Sequence, residues 1–249
     1  RVGPVEVTAT AEPAPPPEAS VEADPAAFGT VIEVDRRAGE RRDVADLLLE
    51  APGVRVHHAP GGETLILRGT SSDQSLVFLD GIALNAAAGG GVDLRTVPAP
   101  LLERITVVRG NEGARYGAGA LGGVALLETR ALRDEAGGTV SLSAGSFDTL
   151  ELSGSAWGGG AAASGLVGLV LRRSAGDYPG LYDPTRQHDP SDRTTRVVEN
   201  NDERGAGALA KGRVRLGGGG ALQGLLHGWL GERGLPGSFY QPDDHRRDE

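Results

Sequence analysis

The sequence predicts an α+β domain over residues 28–136 followed by antiparallel β-strands over residues 137–249, with residues 1–27 as an extended lead-in. Three observations carry this reading. Residues 12–27 are rich in Pro, Ala and acidic side chains; residues 30–130 mix short strand-like and helix-like stretches punctuated by Gly; after Gly137 apolar and polar residues alternate with period two.

The chain opens with Val5-Glu6-Val7-Thr8-Ala9, a short β-prone peptide ahead of a tether containing Pro13, Pro15, Pro16, Pro17 and Pro25. Two readings stand for it: a frayed terminus, or a strand offered to the sheet edge of a partner. Thr30-Val31-Ile32-Glu33-Val34 reads as a strand. Asp43 is placed to cap a helix with Val44, Leu47 and Leu48 on one face, ended by Pro52-Gly53. Further strands are predicted at residues 64–68, 76–79, 104–108 and 124–129, each bounded by Gly or Asp-Gly.

In the second part, Val140, Leu142 and Ala144 alternate with Thr139, Ser141 and Ser143, and Leu150, Leu152 and Ala156 with Thr149, Glu151, Ser153 and Ser155. Comparable strands are expected at residues 164–174, 203–216 and 221–233, where Ala206, Ala208, Ala210 and Val214 alternate with Lys211, Arg213 and Arg215. Connections at 145–148, 158–163 and 217–220 are short, whereas 175–202 is long and charged. If the first strand rises from the domain side, the Gly-rich turns at 158–163 and 217–220 fall on that side and the long loop on the other, the habit of transmembrane barrels built from ~10-residue alternating strands. The alternative is a soluble antiparallel sheet, forming the β-sandwich second domain of a soluble or peripheral binding or signalling module. Five strands do not close a bacterial barrel, which needs an even number of at least eight.

Composition narrows the functions open to such a chain. The 249 residues carry a net charge of −9, with 34 Asp and Glu against 25 Lys and Arg, which argues against a nucleic-acid surface. No apolar run approaches the ~20 residues of a membrane helix. The absence of Cys excludes disulfides, thiolate metal sites and cysteine nucleophiles, and suits an oxidising compartment. With no Met, the chain reads as a processed form or a piece of something longer. The 40 Gly imply frequent turns, and the 4% aromatic content implies sparse aromatic packing.

Chemistry-bearing motifs are thin. Gly117-Ala118-Gly119-Ala120-Leu121-Gly122 matches G-x-G-x-x-G, but a strand-like segment follows it where a dinucleotide site requires a helix. Its glycines are better explained by turns and close backbone approach. His57 and His58 are adjacent, and His188, His227 and His245 are scattered, with no metal-binding i, i+4 pair. Ser71, Ser72 and Asp73 lack the setting of a nucleophile elbow. Asp177, Asp183 and Asp189, with Asp192 and Asp202, offer oxygen ligands suited to Ca²⁺; their spacing matches no EF-hand loop, and a solvated acidic loop is the alternative.

Four segments in order are specific: Leu67-Arg68-Gly69; Leu76-Val77-Phe78-Leu79-Asp80-Gly81; Pro100 through Gly110, which contains Glu103-Arg104-Ile105-Thr106-Val107-Val108-Arg109; and Ala114-Arg115-Tyr116-Gly117 on to Val124. Together they resemble the plug domain of TonB-dependent outer-membrane receptors, with the later segments as opening strands of the barrel. Within that family the spacing around residues 80–93 and the Asn200-Asn201-Asp202 stretch most resemble cobalamin and related siderophore receptors. The resemblance implies a plug-gated, non-enzymatic, monomeric transporter of a scarce metal chelate, a ferric siderophore or cobalamin. It implies a place in the cell outer membrane among its lipids, with about five of 22 strands present here. Val5, Glu6, Val7, Thr8 and Ala9 would be a TonB box that pairs with the inner-membrane TonB protein by strand addition. His57, His58, Gly61, Gly62 and Glu63, with Asn85, Gly89, Gly90, Gly91 and Asp93, match substrate-facing plug loops. Arg68 and Arg109, with Glu103 and Arg104, match the family's plug–barrel locking positions, the alternative being ion pairing within the plug.

Overall fold

The computed structural model describes residues 10–11, 29–34, 43–59, 62–85, 90–109, 116–117, 119–182, 194–216, 219–235 and 246–248. In chain order the strands are β1 (Thr10–Ala11), β2 (Gly29–Glu33), β3 (Val54–Ala59), β4 (Gly62–Leu67), β5 (Ser75–Leu79), β6 (Ile82–Ala83), β7 (Leu102–Arg109) and β8 (Gly123–Thr129), then β9 (Gly137–Gly145), β10 (Thr149–Gly159), β11 (Ala163–Ser174), β12 (Pro179–Tyr182), β13 (Thr194–Val197), β14 (Glu203–Arg215), β15 (Ala221–Gly234) and β16 (Arg246–Asp248). One short helix, α1 (Val44–Leu48), lies between β2 and β3.

The first domain is built on a five-stranded sheet of order β2-β7-β8-β5-β6. β5 and β8 run parallel, and the other neighbours run antiparallel. β8 lies at the centre between β7 and β5, which explains its near-continuous apolar run Val124-Ala125-Leu126-Leu127, all buried. β5 turns into β6 through Asp80 and Gly81 alone, at φ +47° and +84°. That left-handed pair is what a two-residue hairpin between right-twisted strands requires. The α1 face of Val44, Ala45, Leu47 and Leu48 packs into the same core as Leu65, Leu67, Val77, Leu79, Ile105 and Leu127.

The segment read as a substrate loop from His57 to Glu63 is instead largely strand. β3 and β4 form a hairpin in which His57 faces Thr64, His58 faces Glu63 and Ala59 faces Gly62. The cap reading of Asp43 is corrected as well: its backbone has cap geometry, but its carboxylate makes no cap hydrogen bond and is engaged by Arg172.

The second part is a wall of long antiparallel strands ordered β15-β14-β11-β10-β9, with β1 and β16 short partners on the free side of β15. The five long strands fall where alternation predicted them. Registered rows cross the wall, among them Leu142, Leu152, Leu171, Ala206 and Leu230. This face is exposed, with Val140 at 82% and Val167, Leu169, Leu222 and Leu226 also open. The opposite face covers the first domain: Leu166, Val170 and Leu209 join the core cluster that contains Leu101 and Leu102. One hydrophobic core therefore serves the domain and the inner face of the wall. The long connection, expected as a charged loop, carries a hairpin of its own, β12 with β13.

Candidate functional site

Two surfaces of the domain matter: its apex, and the contact between domain and wall. At the apex, the β3–β4 hairpin and residues 90–93 are joined by Asp93, which accepts hydrogen bonds from the Glu63 amide (3.0 Å) and Arg95 Nε (3.2 Å). Gly62, at φ +142°, leaves the room Asp93 occupies, since a Cβ there would stand 2.6 Å from Asp93 Oδ2. Gly91 is similarly close to Thr64 and Ser72. Asn85 fixes the start of the second loop by accepting from the Val77 amide (2.8 Å) and donating to the Gly90 carbonyl (3.3 Å). His58 Nδ1 lies 3.2 Å from Glu63 Oε1, and both histidines are exposed. The structure thus brings His57, His58, Gly62, Glu63, Asn85, Gly90, Gly91 and Asp93 to one end of the domain. Gly61 and Gly89 lie outside the described residues.

The contact with the wall rests on charge pairs that sequence reasoning did not predict. Lys211 Nζ sits 3.0 Å from Asp80 Oδ2, with side chains only 11% and 9% exposed. Asp80 also accepts from the Thr129 amide at 2.9 Å and from its hydroxyl, so one carboxylate gathers the β5–β6 turn, the end of β8 and wall strand β14. Arg172 forks onto both oxygens of Asp43 at 3.1 and 3.3 Å and pairs with Glu203 at 2.5 Å. Arg233 lies 3.7 Å from Asp93. In all three cases the domain supplies the carboxylate and the wall the cation.

That polarity is opposite to the arginine lock expected from Arg68 and Arg109. Arg109 donates to the Pro52 carbonyl and the Thr30 hydroxyl. Arg104 pairs with Glu33 at 3.2 Å, and Glu103 accepts from the Ala131 amide at 2.9 Å and faces Arg133 at 3.7 Å. Arg68 sits at φ +53° in the turn after β4. These contacts hold the domain and its exit segment together. A signal for the actual partners was present: Arg172, Lys211 and Arg233 each fall on the inward parity of an alternating strand, where a charge needs a partner.

Both tryptophans also face inward. Trp229 lies flat over Gly205, Gly207 and Gly231, where an added Cβ would come within 2.3 to 2.9 Å of its ring. Trp157 covers Gly137 and is flanked by the guanidinium groups of Arg130 and Arg133 at 5.8 and 5.7 Å. The segment from β8 to β9 is tied further by Arg215, which reaches Asp134 at 3.3 Å.

Of the other sequence candidates, Asp177 is exposed, Asp183 and Asp189 lie outside the described residues, and no group of three metal-ligating side chains occurs among the described residues. After Gly122 the chain enters strand β8, not a helix; a Cβ at Gly122 would stand 2.3 Å from Thr70 Oγ1 and one at Gly123 would stand 2.4 Å from the Val108 carbonyl. Close backbone approach accounts for both. No helix among the described residues is long and apolar enough to cross a membrane, which says nothing of strands.

Comparison with known proteins places this geometry. Residues 29–124 match the family described as TonB-dependent Receptor Plug Domain. The chain is 41% identical over 126 residues to the vitamin B12 transporter BtuB of Vibrio cholerae serotype O1, covering 49% of this chain and 21% of that protein. It is 30% identical over 177 residues to BtuB of Photobacterium profundum, covering 70% and 29%. Among solved structures it resembles the siderophore receptor PirA from Acinetobacter baumannii with a TM-score of 0.63 at 20% identity, over 86% of this chain and 32% of that one. That likeness shows the fold. The chain spans roughly a fifth to a third of the length of these relatives.

Proposed function

From the premise that the chain belongs to the TonB-dependent receptor family, we propose that it supplies the plug and first wall strands of an outer-membrane transporter for cobalamin or a ferric siderophore. The observation that supports this most directly is the two-faced wall. Its inner face packs on the plug through Leu166, Val170 and Leu209, and its outer face presents apolar rows to the surroundings. Along β11, from Ala163 to Arg173, ten rises of ~3.3 Å and a tilt of ~40° give a band about 25 Å tall, the height of hydrocarbon that such barrels cross.

In this reading substrate meets the apex formed by His57, His58, Glu63, Asn85, Gly90, Gly91 and Asp93, together with external loops. TonB pairs by strand addition with Val5-Glu6-Val7-Thr8-Ala9, which lie outside the described residues, and residues 12–27 supply reach. Energy from the inner membrane then displaces the plug, and the chain carries no catalytic step. Deleting residues 5–9 in the receptor that contains this chain is expected to abolish uptake of cyanocobalamin or ferric siderophore while surface binding is kept. Undiminished uptake would overturn the gating assignment.

A further inference from the structure

The β3–β4 hairpin carries its core face toward the apex and ends it in a polar rung. Val54, Val56 and His58 lie on one face of β3, and Leu67, Leu65 and Glu63 oppose them on β4. Val54, Leu65 and Leu67 are buried in the core and Val56 packs against it, so His58 and Glu63 stand where that apolar face runs out. His58 Nδ1 lies 3.2 Å from Glu63 Oε1, and the two are unequally sheltered: 61% of the imidazole side chain is exposed against 19% of the carboxylate side chain. Glu63 is itself fixed, because its amide donates to Asp93 Oδ1 at 3.0 Å. With Nδ1–H donated to the carboxylate, Nε2 presents its lone pair on the far side of the ring. That nitrogen has no partner among the described residues. An imidazole held by a carboxylate at one nitrogen and open at the other is the arrangement in which proteins present histidine to a metal. A free divalent ion is held by three or more side chains, and no such group occurs among the described residues. A metal chelate that brings its own ligands needs only one more donor.

We infer that His58 Nε2 ligates the metal of the transported substrate directly, and that the substrate is a corrinoid with an exchangeable axial position. The inference rests on the proposed function above, in which the apex is the substrate site of a transporter. In the ligation step the Nε2 lone pair forms a Co–N bond, the Co–O bond to an axial water breaks, and the water leaves. Cobalt stays trivalent and no proton moves. A ferric siderophore whose donors fill all six positions of iron offers no such place, which is why the imidazole selects the corrinoid. Glu63 is a positioning residue: it holds the ring through Nδ1 and sets a negative charge beside the cationic aquo-corrinoid.

The test uses the untagged receptor that contains this chain, purified in mild detergent and imidazole-free buffer. It is titrated with aquocobalamin and with cyanocobalamin, whose axial cyanide imidazole does not displace. Wild type is expected to move the near-ultraviolet corrin band of aquocobalamin to longer wavelength, as free imidazole does, and to leave that of cyanocobalamin in place. H58Q, whose amide can still donate to Glu63, is expected to abolish the shift and to lower affinity for aquocobalamin relative to cyanocobalamin about tenfold or more. E63A is expected to weaken aquocobalamin binding about tenfold while keeping the shift at saturation, and E63Q, which still accepts from Nδ1, to restore most of it. Bound aquocobalamin with an unshifted spectrum, or a shift that survives H58Q, would overturn the ligation. Undiminished affinity in E63A would overturn the positioning role of Glu63. A receptor that binds a ferric siderophore and neither cobalamin would overturn the inference and leave the transporter reading intact, whereas binding of neither class would overturn that reading itself.

Discussion

Replacing Lys211 with Met keeps the length of the side chain and removes the charge that faces Asp80. Both groups are about nine-tenths buried, so the loss leaves a carboxylate in an apolar junction. Removing one partner of a buried pair costs about 3–5 kcal/mol. Asp80 keeps its two hydrogen bonds from Thr129, which puts the expected cost at the lower end, about 3 kcal/mol. If the β8 amides exchange when the plug parts from the wall, that cost makes their hydrogen exchange about 150-fold faster. The partner substitution Asp80→Asn tolerates the left-handed backbone of φ +47° and still accepts from the Thr129 amide. The double variant D80N/K211M contains no buried charge, so it should recover much of the protection lost in K211M. An acceleration below about threefold in K211M, or strictly additive losses in the double variant, would refute the assignment of Asp80–Lys211 as the junction's central tie.

Three further outcomes follow from the same contacts. Asp43→Ser supplies a good helix cap yet removes the partner of Arg172, so it should destabilise the plug–wall contact by about 1–2 kcal/mol in denaturant titration; a neutral result would restore the capping role. Gly205→Ala places a methyl within 2.3 Å of Trp229 Cζ2 and should tilt the indole off the wall, read as a shift in Trp emission and a loss of about 1–3 kcal/mol. Gly62→Ala meets Asp93 at 2.6 Å and an unfavourable φ of +142°, so substrate affinity measured on whole cells should fall while outer-membrane abundance holds.

The strands were legible because period-two alternation is a local property, and all five long wall strands follow from it. The domain's strands were also marked locally, by Gly and Asp-Gly boundaries. The β3–β4 hairpin was missed because His57–Glu63 was read as a plug loop on family resemblance, whereas the ladder pairs His57 with Thr64 and His58 with Glu63. The ties between domain and wall were hidden for another reason. Asp43 meets Arg172, Asp80 meets Lys211 and Asp93 meets Arg233 across more than a hundred residues, and single charges at such separations leave no periodic trace. A capping motif also competed for Asp43, and the long-range partner won because a forked guanidinium satisfies both oxygens at once. The apex residues were expected from family resemblance alone; the geometry adds what joins them, the carboxylate of Asp93.

The strand order of the plug sheet has a mechanical corollary. β2 is an edge strand held to β7 by a five-residue ladder from Gly29 to Glu33, and it is the first element after the Pro-rich lead-in. The other end of the domain leaves β8 at Thr129 and enters the wall through a segment gripped by Trp157, Arg215 and Glu103. A tensile load applied between Ala11 and Gly29 therefore works first on this peripheral ladder while the distal end stays moored; applied ahead of Thr10, it meets the two-residue β1–β15 pairing before it. The fold separates in chain order, and shedding β2 leaves the central β7-β8-β5 pairing, and with it the Asp80 tie, still closed.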